Sequence, residues 1–321
     1  MRNKDEVLGW AKETIAIEAI AIDRLQQQLN NDFVDTVDEI LTTGGRVVVT
    51  GIGKSAAIGN KIVATLNSTG TPAIFMHAAD AVHGDLGMIQ QGDTVICISK
   101  SGNTPEIKAL VPLIKHSGNT IIGMVGNLDS FLAKQSKFVL DVSVDKEACP
   151  NNLAPTTSTT AQLVMGDALA VCLLKSRGFT SSDFAKYHPG GALGKRLYTT
   201  LEDLAIQNDK PMVNPMDPVR SVIMELTKKR LGAVVVLHNE KVIGVITDGD
   251  IRRMLELESS IDVLTARDIM GGSPVTMQAN ELASSAASTM RTKKISQIVV
   301  LKDEEYFGMV HIHDLNREGI L

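Results

Sequence analysis

The sequence predicts an α/β chain: a doubly wound, five-stranded parallel sheet flanked by helices, followed by a repeated α+β unit. Two observations carry this. Five short apolar runs rich in β-branched residues alternate with helical segments between Arg46 and Val142, the pattern of strands buried on both faces and joined by crossover helices. The last third of the chain then matches itself at a fixed offset.

At the start, Ile15, Ala19, Ile22 and Leu25 recur at helical spacing with charges between them, predicting one helix over about residues 5–30. Asn30-Asn31-Asp32 breaks it, and a second short helix runs to Leu41. The strands are residues 46–50, 72–76, 93–98, 120–125 and 138–142, separated by helices over about 55–68, 105–117 and 129–135. A further helix over about 157–177 carries Leu163, Met165, Ala168, Leu169 and Cys172, apolar nearly all round and therefore buried on most sides. Residues 178–211 differ in composition, with Gly178, Pro189, Gly190, Gly191 and Gly194 among polar residues, and a domain boundary falls near 200–210. Beyond it, Leu231–Asp250 matches Ile295–Asp314 at an offset of 64, and Asp203-Leu204 pairs with Asp268-Ile269 at 65. Two similar halves packed together are expected.

Composition excludes several classes. Of 321 residues, Lys+Arg number 32 and Asp+Glu 37, so a net charge of −5 argues against nucleic acid or an anionic membrane as partner. Aromatics at 3% are too few for a stacking platform. Cys97, Cys149 and Cys172 form no CxxC, which excludes a disulfide scaffold or zinc finger and fits a reducing cytoplasm. The acidic N-terminal stretch does not read as a signal peptide, and no apolar run approaches membrane-spanning length.

The candidate chemistry gathers at strand ends. The first strand closes in Gly51-Ile52-Gly53-Lys54-Ser55-Ala56 and enters a helix, whose free N–H groups attract anions. This is no Walker A loop, since its first glycine would fall at Val48. A dinucleotide turn fits, but the ribose acid expected about 20 residues on is missing. Lys54 therefore suits a sugar phosphate or a developing oxyanion. The third strand closes in Ser99-Lys100-Ser101-Gly102-Asn103-Thr104-Pro105-Glu106, a hydroxyl-rich phosphate cradle before a helix begun by proline. There Glu106 otherwise only offsets the macrodipole. His83 beside Gly84 follows the second strand. Glu147 follows the fifth, just before the hydroxyl-rich helix entry of Ser158 and Thr159, an arrangement suited to proton transfer beside an anion. Ordinary N-capping is the competing role of those hydroxyls. His188 sits in a stiff Pro-Gly-Gly turn of the kind that places a side chain. His311 and His313 alternate on one strand face with no third ligand in view, and no metal is expected.

Taken together, Gly51–Ser55, Ser68–Pro72, His83–Met88, Glu147–Pro150 and His188–Gly194 resemble the D-arabinose-5-phosphate isomerase family. Over essentially the whole chain, the resemblance implies a sugar isomerase (SIS) domain over 1–200. It also implies two cystathionine-β-synthase (CBS) motifs, over 201–265 and 266–321, with Thr247–Arg253 fitting the first. It implies interconversion of D-ribulose 5-phosphate and D-arabinose 5-phosphate, which feeds synthesis of Kdo, a sugar of lipopolysaccharide and some capsules. The family's active-site groups fall on Lys54, His83, Glu106, Glu147 and His188, with Gly53, Ser55, Ser99, Ser101, Gly102, Thr104, Ser158 and Thr159 binding substrate. Lys100 and Asn103 occupy positions that vary in the family and leave the paralogue open.

The expected chemistry moves a proton between C2 and C1 through an enediolate. Lys54 stabilises the oxyanion, Glu147 is the principal base, His188 opens the ring or relays the proton, and Glu106 supports. No cofactor is required. The resemblance also implies a homotetramer in which His188 acts in trans. The paired CBS motifs imply a nucleotide or nucleotide sugar, with Asp250 and Asp314 as ribose contacts. A non-catalytic sugar-phosphate sensor and an isomerase of another sugar phosphate are the alternatives, and a nicotinamide dehydrogenase is the weakest.

Overall fold

The structure, a computed structural model, describes residues 3–257 and 261–321, the Ala192 side chain excepted. Met1 and Arg2, which open the acidic N-terminal stretch, lie outside the described residues. The chain forms two compact units, Met1–Tyr187 and His188–Leu321, dividing upstream of the boundary read near 200–210.

The first unit runs α1 (Lys4–Gln28), α2 (Asn31–Thr42), β1 (Val47–Gly51), α3 (Lys54–Ser68), β2 (Ala73–His77), α4 (Ala78–Ala81), β3 (Thr94–Ser99), α5 (Pro105–His116), β4 (Thr120–Val125), α6 (Phe131–Gln135), β5 (Phe138–Asp141), α7 (Thr157–Ser176) and α8 (Ser181–Tyr187). The break between α1 and α2 is a cap: the Asn30 side chain accepts from the Asp32 N–H. All five strands are parallel, in the order β2-β1-β3-β4-β5. Alternate strand residues feed two cores. Val47, Val49, Ile96, Ile98, Ile122 and Met124 pack on the face covered by α1, α2, α3 and α7. Val48, Val95, Cys97, Ile121 and Val125 pack on the face covered by α4, α5 and α6. The sheet is therefore doubly wound as the apolar runs predicted. The strand order reverses between β1 and β3, and their carboxyl ends splay into the crevice where such sheets bind ligands.

Helix α7 is buried on most sides, as its apolar composition predicts. It is a single 20-residue helix apolar enough, by length and composition, to cross a membrane. Here it is a core helix, with Ala161, Met165, Leu169 and Leu173 buried in the first core. At Gly166 it lies so close to α3 that a Cβ would meet Ile62 Cδ1 at 2.4 Å.

The second unit contains α9 (Ala192–Tyr198), α10 (Leu201–Ala205), β6 (Met212–Val213), α11 (Val219–Lys229), β7 (Ala233–His238), β8 (Lys241–Thr247), α12 (Asp248–Leu257), α13 (Ala266–Ile269), β9 (Thr276–Gln278), α14 (Ala283–Lys293), β10 (Gln297–Lys302), β11 (Glu305–His311) and α15 (Ile312–Arg317). Helices α8, α9 and α10 fill much of 178–211, and its glycines and proline separate these short helices. The repeat is visible throughout. Sheets β6-β7-β8 and β9-β10-β11 each join one parallel to one antiparallel pair. Both hairpins carry an irregularity at matching places, Val236/Leu237 and Val300/Leu301. Leu231, Ala233 and Val235 pack with Val299 and Met309 between the two halves. His313 departs from expectation: β11 ends at His311, whose Nδ1 accepts from the His313 N–H and caps α15.

Candidate active site

The turn after β1 is shaped by close approach. A Cβ on Gly51 would come within 3.2 Å of the Ile98 carbonyl oxygen of β3, so any larger residue would push β1 from its neighbour by a few tenths of an ångström. Gly53 caps α3 with φ +58° and offers no side-chain cap, leaving the first N–H groups of the helix available, with Lys54 as its first residue.

The turn after β3 is braced from within. Ser99 Oγ lies 2.8 Å from Thr104 Oγ1 and accepts from the Gly102 N–H at 3.1 Å, while Ser101 Oγ accepts from the Asn103 N–H at 3.2 Å. The start of α6 holds it from outside: the Leu132 N–H donates to the Gly102 carbonyl at 3.0 Å and the Phe131 N–H to Asn103 Oδ1 at 3.1 Å. Thr104 caps α5 without a side-chain bond to its N–H groups, and Pro105 follows at the first turn. Two helix starts without side-chain caps thus converge at the β1/β3 switch point. That suits an anion.

Between them lies a cavity of about 220 Å³. Lys54 and Ser55 line it from α3, Ser99, Ser101 and Thr104 from the second turn, and Ser158 and Thr159 from the start of α7. Two further lining residues, Lys100 and Gln162, were not singled out in the sequence as binding groups.

Glu147 stands directly behind this wall. Its side chain is fully buried, and Lys100 Nζ reaches its Oε1 at 2.5 Å. Ser158 Oγ donates to the same oxygen at 2.5 Å, while the N–H groups of Thr156 and Ser158 donate to Oε2 at 2.9 and 3.1 Å. The segment before α7 is folded around it: the Glu147 N–H donates to Asn152 Oδ1 at 2.7 Å, and the Ala148 N–H to Thr157 Oγ1 at 2.9 Å. Burial pushes the carboxyl up, but Lys100, Ser158 and the two backbone N–H groups outweigh it and bring the pKa down to about 2. Glu147 is therefore ionised throughout the neutral range, with Lys100 as the neutralising cation.

The other candidates are placed differently. Gly53 and Gly102 shape the turns rather than line the cavity. Glu106 is half-buried in the first turn of α5 and His83 is exposed in the turn after α4; neither lines the cavity. His188 opens the second unit between α8 and α9, its carbonyl accepting from the Gly191 N–H at 3.1 Å. A Cβ on Gly194 would strike that carbonyl at 2.3 Å, so the glycines fix this turn.

A second cavity, of about 710 Å³, opens between the repeats of the second unit. Repeat-related residues face each other across it: Arg230 with Lys294, and Thr247 with His311. Arg252 adds to its cationic lining, opposed by Asp248, and His313 lies alongside. Asp250 and Asp314 are not in its lining. Both serve helix starts, Asp250 accepting from the Thr247 N–H and hydroxyl, Asp314 from the His311 N–H and Asn208. Burial pushes the Asp250 carboxyl up, but bonds from Thr247 and Arg253 bring it below the usual range. Among the described residues, no group of three or more His, Cys, Asp or Glu is placed to hold a metal.

Comparison with known proteins follows the same division. A SIS domain model matches residues 40–172, and a CBS domain model matches 201–257 and 266–320. The arabinose 5-phosphate isomerase KdsD of Pseudomonas aeruginosa is 46% identical over 314 residues, covering 97% of this chain and 96% of that protein. Its Escherichia coli K12 counterpart is 42% identical over 312 residues, covering 97% and 95%. A solved Escherichia coli CFT073 protein in complex with arabinose 5-phosphate is 38% identical with a TM-score of 0.57, covering 59% of this chain and 100% of that one.

Proposed function

The chain belongs to the arabinose 5-phosphate isomerase family, and we propose that it interconverts D-arabinose 5-phosphate and D-ribulose 5-phosphate. The observation that carries this is the 220 Å³ cavity at the β1/β3 switch point, where two uncapped helix starts, a ring of hydroxyls and Lys54 lie against a buried, ionised carboxylate. The phosphate dianion takes the helix starts and the hydroxyls of Ser99, Ser101 and Thr104. From the open aldose, the base takes the C2 proton. The C2–H electron pair forms the C1=C2 bond, and the carbonyl electrons move to O1, where Lys54 neutralises the charge. Transfer of the O2 proton to O1 makes the C1 hydroxyl, the O2 electrons form the C2=O2 bond, and the C1=C2 pair takes the abstracted proton back at C1, giving the ketose.

Glu147 is the base in this reading, supported by its ionised state; the incoming dianion draws off Lys100 and leaves Ser158 as the remaining donor to Oε1. His188 opens the ring or relays the proton, and Glu106 and His83 assist from the rim. Residues 1–200 form the catalytic domain and 201–265 and 266–321 the CBS motifs. The cationic lining of the second cavity supports a nucleotide or nucleotide sugar there, with Asp250 and Asp314 at the adjoining helix starts. Leu8, Trp10, Ile15 and Ile20, all exposed on α1, support assembly as a homotetramer, in which His188 completes a neighbour's site. The product feeds Kdo synthesis in the cytoplasm, where the three free cysteines are at home.

The test is incubation with D-ribulose 5-phosphate in D2O, followed by NMR against arabinose, ribose and xylulose 5-phosphate standards. Arabinose 5-phosphate deuterated at C2 is expected. Binding without turnover would instead make this a sensor, and a different product would move the substrate.

A further inference from the structure

The hydroxyls and lysines of the cavity have partners or stand at a helix start; Gln162 does neither. It lies on α7 one turn beyond Ser158, on the face that lines the cavity. It is 1% exposed, and both its amide oxygen and its amide nitrogen are buried without a hydrogen-bond partner. A buried amide left unpaired at both ends is costly, and such groups are rare in native proteins. The other fully buried orphans of this unit, Thr36, Thr50 and Thr94, each leave one hydroxyl unpaired, and none lines the cavity. Among the described residues, Gln162 is the side chain with both a donor and an acceptor in want of a partner at the site.

We propose that Gln162 is a substrate-binding residue that reads the polyhydroxyl chain of the sugar, Nε2 donating to one oxygen and Oε1 accepting from a hydroxyl. The inference rests on the sugar-phosphate reading above and deepens it. The anion is already provided for at the two turns, and Ser158 is committed to Glu147. Gln162 therefore meets carbon positions beyond the phosphate. An amide complements a hydroxyl, which also both donates and accepts, and a site built this way rejects an analogue that lacks it.

The test compares wild type with Gln162→Leu in the full chain, with Gln162→Met as a second variant should leucine's branch fail to fit. Melting without ligand is measured first, then titrations with inorganic phosphate and with D-arabinitol 5-phosphate. Because the substitution removes unpaired polar atoms, the variant melts at the same temperature or higher. It binds inorganic phosphate within twofold of wild type and binds the sugar-alcohol phosphate 10- to 100-fold more weakly, the range for one or two lost hydrogen bonds. Equal weakening of both ligands, unchanged affinity for both, or a lowered melting temperature would assign Gln162 to the structure and overturn the proposal. If wild type itself does not prefer arabinitol 5-phosphate to inorganic phosphate, the sugar-phosphate reading fails first, and the inference with it.

Discussion

Glu147 accepts from five donors, of which Lys100 alone is a cation. Burial of a lone carboxylate would favour its protonated form; here the donors prevail and the pKa falls to about 2. The sign of the consequence follows. A carboxyl depressed in the folded state adds stability that is fully present above its ordinary value of 4.5 and is lost as pH falls toward about 2. Glu147→Gln turns an acceptor into a donor facing the Thr156 and Ser158 N–H groups. It should cost about 1–3 kcal/mol at pH 7, with the gap to wild type in urea unfolding closing between pH 4.5 and 2. A gap that stayed constant over that range would mean the ionised state is not what the donors stabilise. The same variant should lose roughly 10²- to 10⁴-fold in turnover if Glu147 moves the proton.

At the scale of the element, the anion turn depends on Gly102. Its φ of +61° is one that L side chains rarely adopt, and a Cβ there would lie 2.0 Å from Ser130 Oγ. Gly53 has nearly the same φ, +58°, but open space around it. Gly53→Ala therefore carries only the backbone cost, about 1–3 kcal/mol, whereas Gly102→Ala must also displace Ser130 and the turn. Melting temperature and phosphate titration should both fall further for Gly102→Ala; equal effects would show that the Ser130 contact yields freely. The strands were legible because each is a short, mostly apolar run, and both sheet faces being covered left few polar positions, chiefly at the strand ends. The two turns were legible because hydroxyls and glycines cluster where strands end, and Lys54, Ser99 and Thr104 do line one cavity. Lys100 was not: it pairs with a residue 47 positions away, a contact that no local spacing carries. Gln162 was hidden in the opposite way, as one polar residue in an apolar helix, easily taken for a solvent-facing one. His313 lies on a helix because the chain turns into one directly after β11, as it does after β8 at Gly249, the counterpart of His313 at the offset of 64.

At the scale of the whole molecule, the repeats of the second unit exchange their first helices. Helix α10 precedes the first sheet in sequence, yet Leu201, Leu204 and Ala205 are buried against Ile298 and Val310 of the second. The Leu201 N–H donates to the Glu281 carbonyl, and Gly308 leaves room for Ala205, 3.2 Å from where its Cβ would be. Helix α13 returns the arrangement: Ala266 packs with Val222, Val234 and Ile246, its N–H donates to the Asp217 carbonyl, and Gly244 lies under Met270. A single repeat would therefore lack its own cover. In a chain ended after Leu257, Leu201 and Leu204 lose their sheet, at about 1.5–3 kcal/mol each, and β7 and β8 lose α13. That loss is comparable with the whole stability of about 5–15 kcal/mol of a small domain. Hydrogen exchange should then show β7 and β8 unprotected while β1 and β3, in the other unit, keep their protection. Retained protection of β7 and β8 would mean that the repeat stands without the exchange. Because the 710 Å³ cavity is lined by Arg230 and Thr247 from one repeat and Lys294 and His311 from the other, a ligand bound there would find its site only in the joined pair. Such a ligand would stabilise β7 and β10 together, never one alone.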